Sequence, residues 1–375
     1  LRMIEFINDG LMTIFFLLVG LEIKRELLVG ELSSFRKAAL PFIAACGGML
    51  FPVIVYMSIC PPGSAGSQGL AIPMATDIAF SLGVLSLLGS RVPLSLKIFL
   101  TAFAVVDDIG GILVIALFYS SHVSYGYILI AALLYVLLYF IGKRGTTNKI
   151  FFLVIGVVIW YLFLQSGIHS TISGVILAFV IPAKPRLYVG KYIEHIRHTI
   201  AGFPVVESGS IVLTNEQIAK LKEVESASDR VISPLQSLED NLHGAVNYLI
   251  LPLFAFVNAG VVFSGGGELG GSVGMAVAAG LLFGKFAGIY FFTWLAIKIK
   301  LTPMPPGMTW KNLSGIALLG GIGFTVSLFI ANLSFGANYP VLLNQAKFGV
   351  LSGTILSGLL GYIVLRIVLP VRKRK

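Results

Sequence analysis

Eleven runs of apolar residues, each long enough to cross a lipid bilayer as a helix, dominate this sequence. A bilayer interior offers no water to backbone polar groups, so the backbone must satisfy them within helices or closed barrels, and runs of this length predict helices. The composition agrees, because charged residues make up only 12% of the chain, about half of their share in soluble proteins. The predicted spans fall at about 6–24, 38–58, 71–89, 97–119, 126–142, 150–165, 168–183, 244–263, 272–298, 313–333 and 345–368.

The basic residues are distributed unevenly between these runs. All of the 27 except Arg2, Lys285 and Lys347 lie in one alternate set of loops or in the C-terminal tail. Basic loops remain on the cytoplasmic side of a membrane, so the C-terminus is predicted to be cytoplasmic and Leu1 external. The net charge of +10 thus sets topology and does not indicate nucleic-acid binding, because the basic residues do not cluster. An odd span count with an external start that lacks methionine predicts a further helix before Leu1.

The whole of residues 1–375 is expected to form one transmembrane domain with a long cytoplasmic loop at about 184–243. This stretch is polar, and its sequence predicts a single helix, which follows Thr214 as a plausible N-cap. The two cysteines, Cys46 and Cys60, are expected to be free, because 14 residues of helix would separate them by roughly 21 Å.

Four charged residues lie inside the predicted spans: Asp77, Asp107, Asp108 and Lys285. Each costs about 2.5–3.5 kcal/mol at the centre of a membrane helix, and together they cost about 10–14 kcal/mol if the costs add. Ion pairs that merely join helices are often no more stabilising than packed hydrophobic residues. The four charges therefore indicate a function.

Asp107 and Asp108 are adjacent, so on a helix their side chains point about 100° apart. One can face a water-filled cavity while the other faces a neighbouring helix. Two carboxylates so close in a low dielectric do not both ionise easily, and a hard cation such as Na⁺ can replace their protons. Lys285 lies among glycines at four-residue spacing, which predicts close helix packing, and its candidate partner is Asp107.

Two spans carry residues that interrupt helices. Pro73, Thr76 and Asp77 lie in the middle of one, and three glycines of 320–323 precede Thr325 in the other. Paired broken spans point to a binding site at the bilayer midplane of inverted-repeat transporters. The opposed ends of the half-helices carry partial charges that Asp77 could offset.

At these residues the chain resembles the NhaA-type bacterial sodium/proton antiporters, over nearly its whole length. The motifs that carry the resemblance are Phe15–Leu27, Ala75–Phe80, Leu88–Pro93, Val106–Gly110 and Leu249–Phe256. The resemblance implies an all-α, polytopic, inverted-repeat transporter fold with two discontinuous helices, of which eleven spans are visible and the first family helix is missing.

The resemblance also implies roles for individual residues. Asp107 and Asp108 would bind the cation and carry protons, with Thr76 assisting. Asp77, Lys285 and Thr325 would compensate charge. The residues expected to set the response to pH are Glu22, Arg25, Glu26, Glu239 and His243.

The activity that this implies is electrogenic, pH-regulated exchange of Na⁺ or Li⁺ for H⁺, and no enzyme activity or cofactor is expected. The protein would lie among the lipids of a bacterial inner membrane, and whether it forms a homodimer stays open. One alternative is a sodium-coupled symporter of an organic solute on a similar fold, although no arginine or aromatic clamp for a solute is evident. An intramembrane aspartyl protease is disfavoured, because the Tyr-Asp and Gly-x-Gly-Asp contexts of such enzymes are missing from the sequence.

Overall fold

The computed structural model describes residues 6–120, 123–146, 148–184, 189–203, 214–261, 270–336 and 338–369, without the side chains of 6 and 227–230. Within these ranges the regular elements are all helical, which confirms the all-α prediction. The α-helices are α1 (Met12–Val29), α2 (Phe35–Ile59), α3 (Ile78–Ser86), α4 (Leu94–Phe118), α5 (Tyr125–Lys143), α6 (Lys149–Ser166), α7 (Thr171–Val180), α8 (Val189–Ala201), α9 (Asn215–Val231), α10 (Pro234–Ala245), α11 (Leu251–Asn258), α12 (Ser272–Ala279), α13 (Lys285–Lys298), α14 (Trp310–Leu319), α15 (Phe324–Phe335) and α16 (Pro340–Val368).

Within the described ranges, six helical segments are long and apolar enough to cross a membrane, and two bent pairs would raise the number to eight. A polytopic membrane protein is thereby confirmed, while the count of eleven spans stays a prediction. The difference lies in short or charged helices, since α7 has ten residues, α11 has eight, and α1 carries charges in its C-terminal half. The six segments are α2, α4, α5, α6, the continuous Ser272–Lys298 and α16.

Both predicted helix breaks are present. The 3₁₀ turns within Ala65–Met74 meet α3 at a bend of 47°, and α14 meets α15 at a bend of 44°. Residues 75–77 lie at the first break and 320–323 at the second. The proline and glycines that interrupt the sequence pattern therefore lie where the helices are interrupted.

The close helix packing predicted from the glycines around Lys285 is also present. The helical segment that carries these glycines packs against α2. A Cβ atom added at Gly288 would overlap the carbonyl of Gly47, and one added at Gly284 would lie 2.6 Å from Cα of Pro52. The two backbones can approach this closely only because side chains are missing there. A π-helical turn, Gly280–Gly284, immediately precedes Lys285, and turns of this kind are frequent at functional sites.

The polar stretch at 184–243 contains more helix than its sequence predicted. The expected helix, α9, begins after Thr214, whose hydroxyl accepts the backbone N–H of Gln217 at 3.3 Å, while the Gln217 side chain accepts the N–H of Thr214 at 2.9 Å. The expectation of a single helix is wrong, because α8 and α10 flank α9. Cys46 and Cys60 are both free, as expected.

Candidate functional site

The two broken spans meet at Asp77. Its Oδ1 accepts the backbone N–H of Phe80 at 3.1 Å and so caps α3, the helix that Asp77 itself begins. Its Oδ2 accepts the backbone N–H of Thr325 at 3.1 Å and also the Thr325 hydroxyl, at the first turn of α15. One buried carboxylate therefore serves the positive N-terminal ends of two half-helices.

A reciprocal pair of serines holds the crossing together. Ser81 donates to the carbonyl of Leu319 at 3.1 Å, and Ser327 donates to the carbonyl of Ile72 at 2.7 Å. Each serine is the fourth residue of its half-helix, and each bonds to the first half of the other span. The two spans are thus related in their hydrogen bonding, as expected for an inverted repeat.

Next to the crossing, Lys285 lies fully buried between two partners. Its ammonium donates to the Thr76 hydroxyl at 2.9 Å and contacts Oδ2 of Asp107. Thr76 in turn donates to the carbonyl of Gly320 at 2.8 Å. The lysine that the sequence placed among glycines therefore contacts Asp107, the partner expected of it, and a residue of the first break.

The adjacent carboxylates face different surroundings. Asp108, with Thr76 and Asp77, lines a cavity of ≈ 970 Å³, whereas Asp107 is not part of the cavity wall. Within the described part of the chain, Oδ1 of Asp107 is buried without a hydrogen-bond partner. A buried oxygen without a donor is costly unless a proton or a cation binds to it.

The residues predicted to respond to pH form a second group, which we call the carboxylate–histidine cluster: Glu22, Arg25, Glu26, Glu239 and His243. Arg25 forms an ion pair with Glu239 at 2.8 Å and with Glu26 at 3.2 Å, and His243 lies near two carboxylates. The Glu239 carboxylate raises the pKa of His243, and Glu22 adds to the effect.

The cluster and Asp108 share one cavity, whose wall includes Glu22, Arg25 and His243. The side chains of Arg25 and His243 are 37% and 41% exposed, whereas Asp108 is 7% exposed. We therefore place the cluster at the open end of the cavity and Asp108 at its inner end.

Three features of the structure, one at the site and two outside the cavity wall, were missed by the sequence analysis. The first is the pair of serines at the crossing. The second is Lys24, whose ammonium donates to the carbonyl of Phe179 at 2.7 Å and contacts that of Ile181 at the end of α7. The third is a chain of amides, in which Asn332 donates to Asn258 at 2.9 Å and Asn258 to Asn8 at 2.8 Å. The sequence holds a weak signal for the first feature, because a serine follows both Thr76 and Thr325 within a few residues.

Chemically, the inner end of the cavity offers a dense set of oxygens to a small cation. Asp108 and Thr76 line it, and Oδ1 of Asp107 is buried in the preceding residue of the same helix. Hard cations take carboxylate and hydroxyl oxygens as ligands, and the carboxylate oxygens also take protons. The arrangement can therefore hold either a cation or protons, with Lys285 as a fixed counter-charge.

The family described as Na⁺/H⁺ antiporter 1 matches the chain over residues 1–365. A relative from Bacteroides fragilis (strain YCH46), named Na(+)/H(+) antiporter NhaA, is 82% identical over 373 residues, which are 100% of this chain and 85% of the relative. Relatives of the same name from Phocaeicola vulgatus and Parabacteroides distasonis are 63% and 51% identical. They cover 99% and 100% of this chain, and 83% and 84% of their own lengths are matched.

Proposed function

Because the chain belongs to the Na⁺/H⁺ antiporter 1 family and is therefore a Na⁺/H⁺ antiporter, we propose that Asp107 and Asp108 carry the exchanged ions. In this proposal Na⁺ enters the cavity, binds Asp108 with help from Thr76 and Asp107, and displaces protons. The observation that carries it is the cavity itself, which reaches from the partly exposed Arg25 and His243 to the buried Asp108.

Lys285 makes the two carboxylates different, because its ammonium contacts Asp107 and not Asp108. When both acids are ionised, the ammonium on Oδ2 of Asp107 balances one of the two negative charges, and the second is left for Na⁺. When Na⁺ leaves, each carboxylate takes one proton, so two protons replace each Na⁺. Asp77 and Thr325 support this arrangement from the crossing, because they hold the half-helix ends together. The transported ion thus replaces protons at oxygens that are already in position.

The membrane potential acts on the cycle if it moves net charge. We take the exchange to be two protons for each Na⁺, so one charge crosses per cycle, which is worth about 2.3 kcal/mol per 100 mV. Li⁺ is proposed as a second substrate, because it is also a small, hard cation. The carboxylate–histidine cluster would adjust the pH at which exchange begins, by its charge at the open end of the cavity.

For the setting of the protein we propose the bacterial inner membrane, with the C-terminus and the open end of the cavity facing the cytoplasm. The basic loops favour this orientation. The polar stretch at 184–243 would then be a cytoplasmic loop of a single transmembrane domain. A homodimer is compatible with this arrangement.

The test is exchange in reconstituted vesicles that hold a proton gradient. Addition of Na⁺ should collapse the gradient, and a scan over Na⁺, Li⁺, K⁺ and pH gives the cation preference and the pH midpoint. The same assay addresses a sodium-coupled symporter, which the names of the relatives do not favour. A requirement for an organic solute, or a gradient that Na⁺ leaves intact at every pH, would contradict the proposal.

A further inference from the structure

Three side chains of the carboxylate–histidine cluster converge on one point. Nε2 of His243 lies 3.4 Å from Oε1 of Glu22 and 3.7 Å from Oε1 of Glu239, and the three ligating atoms lie within 4.8 Å of one another. In a tetrahedral zinc site with bonds of about 2.0–2.1 Å, neighbouring ligand atoms are about 3.3–3.4 Å apart. Two of the three separations are therefore already close to those of ligands around a single ion.

The spacing does not correspond to ordinary hydrogen bonding. A nitrogen–oxygen hydrogen bond is about 2.7–3.2 Å long, and both histidine–carboxylate distances exceed this range. Oε1 of Glu239 is buried and, among the described residues, accepts no hydrogen bond of good geometry, although it is paired with Arg25. This oxygen thus lies beside both Arg25 and His243 without a well-formed hydrogen bond to either.

The backbone favours this convergence. Glu239 and His243 are four residues apart on α10 and so lie on one face of that helix. Glu22 faces them from α1, whose C-terminal half carries the other cluster residues. Three ligands held on two packed helices leave a fourth position open to water, as in zinc sites that keep one exchangeable ligand.

The net negative charge of the cluster favours binding of a dication, although Arg25 opposes it. Glu22, Glu26 and Glu239 contribute three negative charges when ionised, against the single positive charge of Arg25. The Arg25 guanidinium lies 2.8 Å from the Glu239 carboxylate and competes with a metal for it. Because Arg25 also bonds Glu26 at 3.2 Å and is partly exposed, it can keep one carboxylate partner when a metal takes the other.

We propose that Glu22, Glu239 and His243 bind a divalent transition-metal ion of the zinc class, and that the bound ion inhibits exchange. Imidazole nitrogen together with carboxylate oxygen favours such an ion over Mg²⁺ or Ca²⁺, which prefer oxygen alone. Glu22 and His243 line the same cavity as Asp108, so a fixed dication there obstructs the approach of Na⁺ and repels it.

Binding is tested on the purified full-length chain, freed of metal by a chelator, with ZnCl₂ titrated in a calorimeter at about pH 8, because a less protonated histidine binds metal more readily. One Zn²⁺ per chain should bind, and MgCl₂ should not compete. His243→Ala and Glu239→Gln should each weaken Zn²⁺ binding by more than the roughly 10–100-fold that loss of a supporting contact costs. Arg25→Gln should strengthen it.

The matched control is His195→Ala. His195 also lies next to a carboxylate, Glu223 at 3.5 Å, and both side chains are exposed. Its removal should leave Zn²⁺ binding unchanged, and melting temperatures verify that each variant is folded. Unaltered Zn²⁺ binding in both His243→Ala and Glu239→Gln, or equal losses in His195→Ala, would overturn the assignment of the site.

Inhibition is tested in vesicles, as the exchange rate with Zn²⁺ divided by the metal-free rate of the same variant. The wild type should lose most of its exchange, and His243→Ala should keep its own metal-free rate. Zn²⁺ that binds at the cluster without slowing exchange would overturn the inhibitory part of the proposal. Metal-free exchange in the same vesicles reports separately on the proposed function, so failure of one is distinguishable from failure of the other.

Discussion

The carboxylate of Asp77 accepts the backbone N–H of Thr325 at 3.1 Å, across a sequence separation of 248 residues. With its other oxygen it caps the helix that Asp77 itself begins. A single side chain thereby offsets the partial positive charges of two helix ends that point toward one another within the protein. This contact joins the two halves of the inverted repeat at the place where ions are proposed to bind.

Substitution of Asp77 should therefore destabilise the protein by more than the loss of a single helix cap does. Asp77→Ala removes the acceptors of both caps, and a lost cap costs about 1 kcal/mol at exposed helix ends and up to about 2 where it matters most. Asp77→Asn keeps one oxygen acceptor, so its loss of stability should be intermediate. Thermal unfolding in detergent measures both variants. If they melt together with the wild type, the carboxylate does not hold the crossing.

Removal of Lys285 should lower the stability of the protein, because it leaves a buried carboxylate without its ion-pair partner. Lys285→Ala leaves Asp107 without its ion-pair partner, and breaking a buried pair in this way costs about 3–5 kcal/mol unless the remaining acid takes a proton. We therefore expect a lower melting temperature than that of Lys298→Ala, which removes an exposed lysine from the same helix. Equal melting of the two variants would show that the Lys285–Asp107 contact contributes nothing.

The close contact between α2 and α13 should make the stability of the protein sensitive to replacement of glycine there. Gly288→Ala should destabilise the protein, because the new Cβ would overlap the carbonyl of Gly47. Gly83→Ala is the matched control, since nothing lies within 4 Å of its added Cβ. Alanine is favoured over glycine in a helix by about 0.8–1.0 kcal/mol, so the control should be neutral or stabilising. The expected result is a lower melting temperature for Gly288→Ala and an unchanged or higher one for Gly83→Ala, and equal losses in both would contradict the close contact.

Much of the fold is readable from local sequence signals. Pro73 and the glycines of 320–323 predicted both helix breaks, because these residues disrupt helical hydrogen bonding or weaken the helix. Thr214 predicted the start of α9, because a hydroxyl at that position caps a helix. The glycines around Lys285 predicted close packing. In each case the physical cause acts within a few residues of the signal.

Other features depend on contacts that no local pattern contains. Lys24 meets the carbonyl of Ile181 across 157 residues, and Asn258 meets Asn8 across 250. Both contacts arise only once the helices have packed. The helices α8 and α10 were missed for a different reason. Both are short and largely polar, so no long apolar run marks them in the sequence.

The division between the two carboxylates leads to a prediction about transport. Asp108→Asn should abolish Na⁺-driven proton release, because it removes the charge that faces the cavity. Membrane insertion should be unaffected, since an amide costs less to bury than a carboxylate. Glu223→Gln, which removes an exposed carboxylate that is not part of the cavity wall, should exchange normally. Exchange by Asp108→Asn at the wild-type rate would refute its role as the ion-binding group.

The pH profile should depend on the carboxylate–histidine cluster through its charge. Neutralising Glu239 makes the potential at the open end of the cavity more positive, so protons leave the inner carboxylates at a lower pH. Glu239→Gln should therefore move the half-maximal pH of exchange downward while the maximal rate stays nearly unchanged, and added salt should reduce the shift. Asp240→Asn removes the same charge from the next, exposed residue of α10. A shift for Asp240→Asn as large as that for Glu239→Gln would show that general surface charge, and not the cluster, sets the midpoint.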